Sequence, residues 1–243
     1  MKSGRFTMLP ALLLALMPAA ALAQSHGRMP NDVSFSIGYL EPRGSSDLWT
    51  LNEHHLTVDE QDFGDAVFAC RIAAPINRFV AIESGAGYYH SDVGTEDREF
   101  TYTSGRPIEQ NLHLELLPLT VTMKVMPFGM YSEEHPEGPL RKVIPYFGIG
   151  GGALLWEYRE HGDFVYGRDQ AIPTLVHGDY DSQGIAPEYH GVLGVDINLA
   201  REMALFVEAR WSRARDDLSS DYSGFDEFDL SGDSLSVGLR FRF

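Results

Sequence analysis

The chain has 243 residues, a formal charge of −16 and a single cysteine, Cys70. So acidic a balance excludes nucleic acid as a partner, because phosphates need a basic surface. A lone cysteine excludes an internal disulfide, even in an oxidising compartment.

The first segment, MKSGRFTMLPALLLALMPAAALA, opens with Lys2 and Arg5, runs apolar and closes on Ala21-Leu22-Ala23. A charged start, a short apolar centre and a small-residue exit predict a secretory signal peptide over residues 1–23, cleaved before Gln24. Its apolar centre falls short of the ~20 residues that a spanning helix needs. Residues 24–243 are then expected to form one domain.

Beyond the leader, apolar and polar residues alternate in runs separated by Gly-, Asp- and Ser-rich segments, which is the strand signal. Strands are predicted near Val33–Leu40, Ala66–Ile76, Phe79–Tyr89, Asn111–Met126, Tyr146–Tyr158, Tyr189–Leu199, Met203–Arg213 and Ser234–Phe243. Most approach the 9–11 residues with which a tilted strand crosses a bilayer. Short connections follow the second and sixth strands, and longer ones follow the first, third, fifth and seventh. This is the up-and-down pattern of a barrel with its long loops on one rim. Residues 128–143 depart from it, being long where a short turn belongs.

Successive side chains on a strand point to opposite faces. The last strand therefore sets Leu235, Val237, Leu239, Phe241 and Phe243 against Ser234, Ser236, Gly238, Arg240 and Arg242. The fourth changes phase near Leu116-Leu117-Pro118, read as a β-bulge, so its polar face collects His113, Glu115, Thr120, Thr122 and Lys124. In the fifth, Gly148, Gly150 and Gly152 share one side, where they let neighbours crowd. A soluble barrel would turn its apolar faces inward, whereas a membrane barrel turns them to lipid. The glycine-rich polar faces, apolar faces without charge, and aromatics near strand ends (Tyr39, Tyr88, Tyr146, Trp211, Phe243) favour the second. The expected fold is all-β, an eight-stranded antiparallel up-and-down transmembrane β-barrel.

The closing SVGLRFRF, PYFGIGGG at Pro145–Gly152 and LPLTVTMKVMP at Leu117–Pro127 resemble the OmpA-like family of small outer-membrane β-barrels. The resemblance spans essentially the whole chain after the leader and covers the barrel only. It implies location in the outer membrane of a Gram-negative-type envelope, with outer-membrane lipid, lipopolysaccharide and the assembly machinery as partners. It also implies that Leu239, Phe241 and Phe243 form the signal which that machinery reads.

An eight-stranded barrel is just wide enough for side chains to fill. Its expected lumen charges are Arg71, Lys124, Arg210, Arg240 and Arg242, opposed by Glu83, Glu115, Asp196 and Glu208, joined in one network because unpaired buried charge is costly. Such a network either fills the barrel or gates a narrow path. The loops near Glu41–Asp65 and Asp216–Asp233 each carry seven acids. They read as solvated, or as surfaces that bridge divalent cations to phosphorylated lipopolysaccharide or select a basic partner. DYSGFDEFDLSGD lacks the spacing of a calcium loop, so no metal or cofactor is expected. His161, Asp163, His177, Asp179 and His190 fall near the upper rim without a recognisable nucleophile–base unit. The expected function is non-enzymatic, structural or interaction-based through the acidic loops. A narrow channel and a rim-active hydrolase are the alternatives, and the sequence names no extracellular partner.

Overall fold

The structure, a computed structural model, describes residues 30–130, 142–170 and 172–243. The expected signal peptide, residues 1–23, and most of the long 128–143 connection lie outside the described residues. The strands are β1 (Asp32–Pro42), β2 (Asp65–Asn77), β3 (Val80–Thr101), β4 (Pro107–Val125), β5 (Val143–Tyr166), β6 (Thr174–Asn198), β7 (Met203–Asp216), β8 (Phe228–Asp229) and β9 (Gly232–Arg242). β1 to β7 pair in sequence, and β9 closes the ring between β7 and β1, every pairing antiparallel. β8 is a short flap on the end of β7. The fold is the expected eight-stranded up-and-down barrel.

Register fixes its shape. From Gly38, pairing through β2, β3, β4 and β5 leads by Val67, Tyr89, Leu116 and Trp156 to Gly184 on β6. The opposite path, through Ser236 and Glu208, reaches Gly194 on that same strand. The two ends stand ten residues apart, and a shear of ten over eight strands tilts them by about 40°.

Outward positions form an apolar ring. Phe35 is 53% exposed, Ile149 66%, Leu193 55% and Leu235 60%, with Phe68, Val121 and Val237 between them. Soluble monomers do not leave such a continuous belt in water, so it is the surface that faces lipid. Tyr39, Tyr88, Tyr189 and Trp211 stand exposed toward its long-loop edge, Phe79 and Phe243 at the short-turn rim. Tyr146, expected with them, is instead only 1% exposed and lies in the lumen.

Above this belt the strands continue, which is why β3, β5 and β6 run far past their predicted ends. The outward side chains then change character: Tyr88 gives way to His90, Leu117 to Glu115, Leu155 to Glu157, Trp211 to Arg213 and Leu235 to Asp233. Inward positions change the other way, from Thr120, Thr122 and Lys124 to buried Leu112, Leu114 and Leu116. The predicted bulge at Leu116–Pro118 is therefore corrected, because the β4–β5 register runs unbroken from Gln110 to Val125. What inverts is the solvent. At lipid level the apolar side chains face out; above it the barrel meets water and keeps them inside, as a soluble protein does.

That upper interior is closed by the loops. The first long loop carries a helix, α1 (Asp47–His55), whose N-terminal N–H of Asp47 donates to Asp226 of the last loop at 3.0 Å. Leu48 and Trp49 drop into the mouth, where Trp49 packs on Phe63, Tyr158 and Phe228 at ring separations of 5.0, 6.1 and 5.2 Å. Its indole N–H donates to the Asp229 carbonyl at 2.9 Å. Asn52 reaches down to Tyr158 at 2.8 Å and Glu160 at 2.9 Å. The acidic loops, expected to be solvated, thus fold into a cap and bury part of their charge: Asp229 is buried and pairs with Arg215, and beside them Asp97 near the end of β3 is buried and pairs with Arg168.

Within the cap, burial and the carboxylates of Glu53 and Asp229 push the Glu60 carboxyl up to about 7, against the opposing pull of Arg43. The folded cap then holds a proton that the unfolded loop releases near the ordinary carboxylate range, so stability falls as pH rises toward 7. Amide protection factors in the cap are expected to be lower at pH 8 than at pH 5, and Glu60→Gln is expected to flatten that difference.

Candidate functional site

The lumen at lipid level holds a layer of charge supplied by seven strands. Lys124 of β4 is its centre, with Nζ 2.9 Å from Glu83 of β3 and 2.6 Å from Glu208 of β7. Glu208 also accepts from the Tyr146 hydroxyl of β5 at 2.9 Å. Arg71 of β2 flanks the pair, 3.8 Å from Glu83 and 3.5 Å from Glu208. Arg240 of β9 approaches Asp196 at 3.5 Å, Asp32 at 3.3 Å and Glu83 at 3.7 Å. Two aromatic faces support these cations: Lys124 stands 4.5 Å from the Tyr146 ring centre, and Arg240 5.4 Å from that of Phe206.

Glycine makes room for this packing. A Cβ on Gly194 would stand 2.4 Å from the Tyr146 ring, and one on Gly150 2.5 Å from the His190 imidazole. Both positions are close approaches that a larger residue could not share.

Of the predicted lumen charges, the structure brings Arg71, Glu83, Lys124, Asp196, Glu208, Arg210 and Arg240 together or onto adjoining groups. Arg210 pairs with Glu188 at 3.5 Å, and Glu188 accepts from His190 Nδ1 at 3.0 Å. Arg242 lines the short-turn end of the lumen beside Asp32 and Asp196. Glu115 is the exception: it points outward above the lipid belt, because β4 keeps its phase and odd positions there face water. Asp32 and Glu188 were missed. Each lies one residue outside a strand as drawn from the sequence, Asp32 before Val33 and Glu188 before Tyr189.

The layer divides the lumen. Above it lies a cavity of about 60 Å³, floored by Arg71, Glu188 and Arg210 and roofed by Trp49 and Leu230, with room for about four waters. Below it lies one of about 30 Å³ beside Met126, Ile144, Asp196 and Arg240. A solute crossing the barrel would have to displace two plugs in series, one ionic and one apolar.

The rim candidates separate. His161, Asp163 and His177 do assemble: His177 Nδ1 lies 2.8 Å from Asp163, the two imidazoles are 5.1 Å apart, and Tyr102 donates to the same carboxylate. Those two hydrogen bonds hold the Asp163 carboxyl below its ordinary range. Asp179 sits opposite His161 in the β5–β6 register. His190 does not join them. It is buried in the lumen, with Nε2 2.8 Å from the Thr122 hydroxyl, a correction to its predicted place at the rim.

Leu239, Phe241 and Phe243 lie on the outward face of the closing strand, 38%, 39% and 71% exposed. The Phe243 N–H donates to the Asn31 carbonyl across the β9–β1 seam at 2.9 Å.

No protein-family model and no curated protein sequence matches this chain. Among solved structures it is similar to Neisserial surface protein A, at 14% identity and a TM-score of 0.48 over 90% of this chain and all of that one. It is likewise similar to Ail, the attachment invasion locus protein of Yersinia pestis, at 13% and 0.43 over 88% of this chain and all of Ail. The outer-membrane protease OmpT of Escherichia coli matches at 10% and 0.46, over 91% of this chain and all of that one. At these TM-scores the barrel described above stands on its own strand register.

Proposed function

We propose that this protein is a non-conducting outer-membrane barrel that presents a folded acidic cap outside the cell, with a structural or interaction role. The leader and the OmpA-like closing strand support the location, and the lipid-facing belt supports insertion. Short turns then face the periplasm and the cap faces outward. Leu239, Phe241 and Phe243 present the outward positions that the assembly machinery would read.

The observation that carries the reading is the double closure of the lumen. The Lys124–Glu83–Glu208 contacts and the Trp49 plug both close the lumen, so the charged layer acts as filler that ties seven strands together. The acidic residues that remain exposed on the cap are then the surface offered to a basic partner or, through divalent cations, to lipopolysaccharide phosphates.

Planar-bilayer recording tests this against the channel reading. Wild-type protein is expected to give no discrete conductance steps. Reproducible steps that Arg210→Ala or Glu208→Ala abolishes would establish transport instead.

A further inference from the structure

Just above the lipid belt, the outward faces of β3 and β4 bring His90, Asp92, His113 and Glu115 together. His90 and His113 pack edge to face, with ring centres 4.7 Å apart. One Asp92 carboxylate spans both, with Oδ2 2.9 Å from His90 Nε2 and Oδ1 2.8 Å from His113 Nδ1. In the neutral tautomer that donates from Nδ1 to Asp92, His113 turns its Nε2 lone pair toward Glu115 Oε2 at 3.9 Å. Two acceptors facing each other across such a gap call for something positive between them.

Three further observations point the same way. The His90 Nδ1 is buried and makes no hydrogen bond among the described residues. Glu115 stands directly opposite Glu157 in the β4–β5 register, a like-charge pairing that destabilises a sheet when nothing intervenes. Arg159 bonds Glu157, and among the described residues Asp92 and Glu115 form their ion pairs with His90 and His113 rather than with Lys or Arg. One ligand atom from each of His90, His113 and Glu115 lies within 4.8 Å of the others.

We propose that His90, His113 and Glu115 form a binding site for a divalent transition ion of the zinc class, with Asp92 as its positioning residue. Imidazole nitrogens select zinc-like ions over calcium or magnesium, which take oxygen ligands. Bond lengths of 2.0–2.1 Å in a tetrahedron put ligand atoms about 3.4 Å apart, so the 3.9 Å His113–Glu115 gap needs only side-chain rotation to close. The carboxylate–histidine contact fixes the ring and strengthens its free nitrogen as a ligand. Two imidazoles and one carboxylate leave the fourth position to water or to an incoming donor. Side-chain exposures of 41% at His90 and 20% at Glu115 open that position outward.

Calorimetric titration of zinc chloride into the folded barrel in detergent micelles, near neutral pH and without chelating buffer, tests the site. Wild-type protein is expected to take up one equivalent through it. His113→Ala should weaken that binding by about 100-fold or more, and Asp92→Asn by about 10–100-fold. Glu115→Gln, which keeps the shape, should weaken it as well, and His177→Ala should leave it unchanged. Heat-dependent gel mobility confirms that each variant is folded. No zinc uptake by the wild type, or full affinity in His113→Ala, would overturn the proposal, and so would loss of the ion on His177→Ala alone.

Discussion

Lys124→Ala is expected to destabilise the folded barrel by about 3–5 kcal/mol, the cost of leaving buried charge without its partner. Its ammonium is 1% exposed and stands between Glu83 and Glu208, themselves 3% and 2% exposed. Remove it, and two carboxylates share a buried layer with only the longer Arg71 contacts and the Arg240–Glu83 contact to offset them. The urea midpoint of protein refolded into vesicles measures the loss. If charge rather than volume is responsible, Lys124→Met should be similarly unstable, and adding Glu208→Gln should recover part of the deficit. Arg43→Ala is the control: its pairs with Glu41 and Asp233 involve a side chain 55% exposed, and surface pairs contribute about 0–1 kcal/mol.

Trp49→Ala is the second large effect, expected to cost the cap about 3–5 kcal/mol, as large aromatic truncations in cores do. The indole fills the mouth between Phe63, Tyr158 and Phe228, and it carries the hydrogen bond to the Asp229 carbonyl. The barrel below does not depend on these contacts. Limited proteolysis should therefore cut the variant rapidly within residues 43–64 and 217–231 while the strands survive. Equal resistance of variant and wild type would show that the cap is held by something else.

The two variants probe the parts of the fold that were unequally legible in the sequence. Alternation on the last strand, with Leu235, Val237, Leu239 and Phe241 opposite Ser236, Gly238 and Arg240, was enough to place lipid on one side and lumen on the other. The same logic misled at Leu116–Pro118. A swap of apolar and polar positions arises from a slipped backbone or from a change of solvent, and local pattern alone does not separate them. Glu115 was consequently assigned to the lumen. The register of β4 against β3 and β5 resolves it.

Helix α1 left little trace because it is nine residues long and buries only Leu48, Trp49 and Asn52. Its position depends on contacts with loops almost 180 residues away, such as the Trp49–Asp229 bond. The His90–His113 cluster has a similar origin. Its members are 23 residues apart, and only the Asp92↔His113 register of β3 and β4 joins them. Spacing motifs read neighbours along one element, whereas this site is built across two.

The central claim is that β4 keeps one phase while its surroundings change from lipid to water. Spin labels placed singly along β4, in a Cys70→Ala background reconstituted in bilayers, test it by collision with oxygen and with a water-soluble relaxant. Labels at 123, 121 and 119 should meet oxygen, and those at 115 and 113 the aqueous relaxant. Labels at 116 and 114 should be shielded from both. An aqueous signal at 116 or 114 with shielding at 115 and 113 would mean that the strand slips at Leu116–Pro118, and would contradict the account.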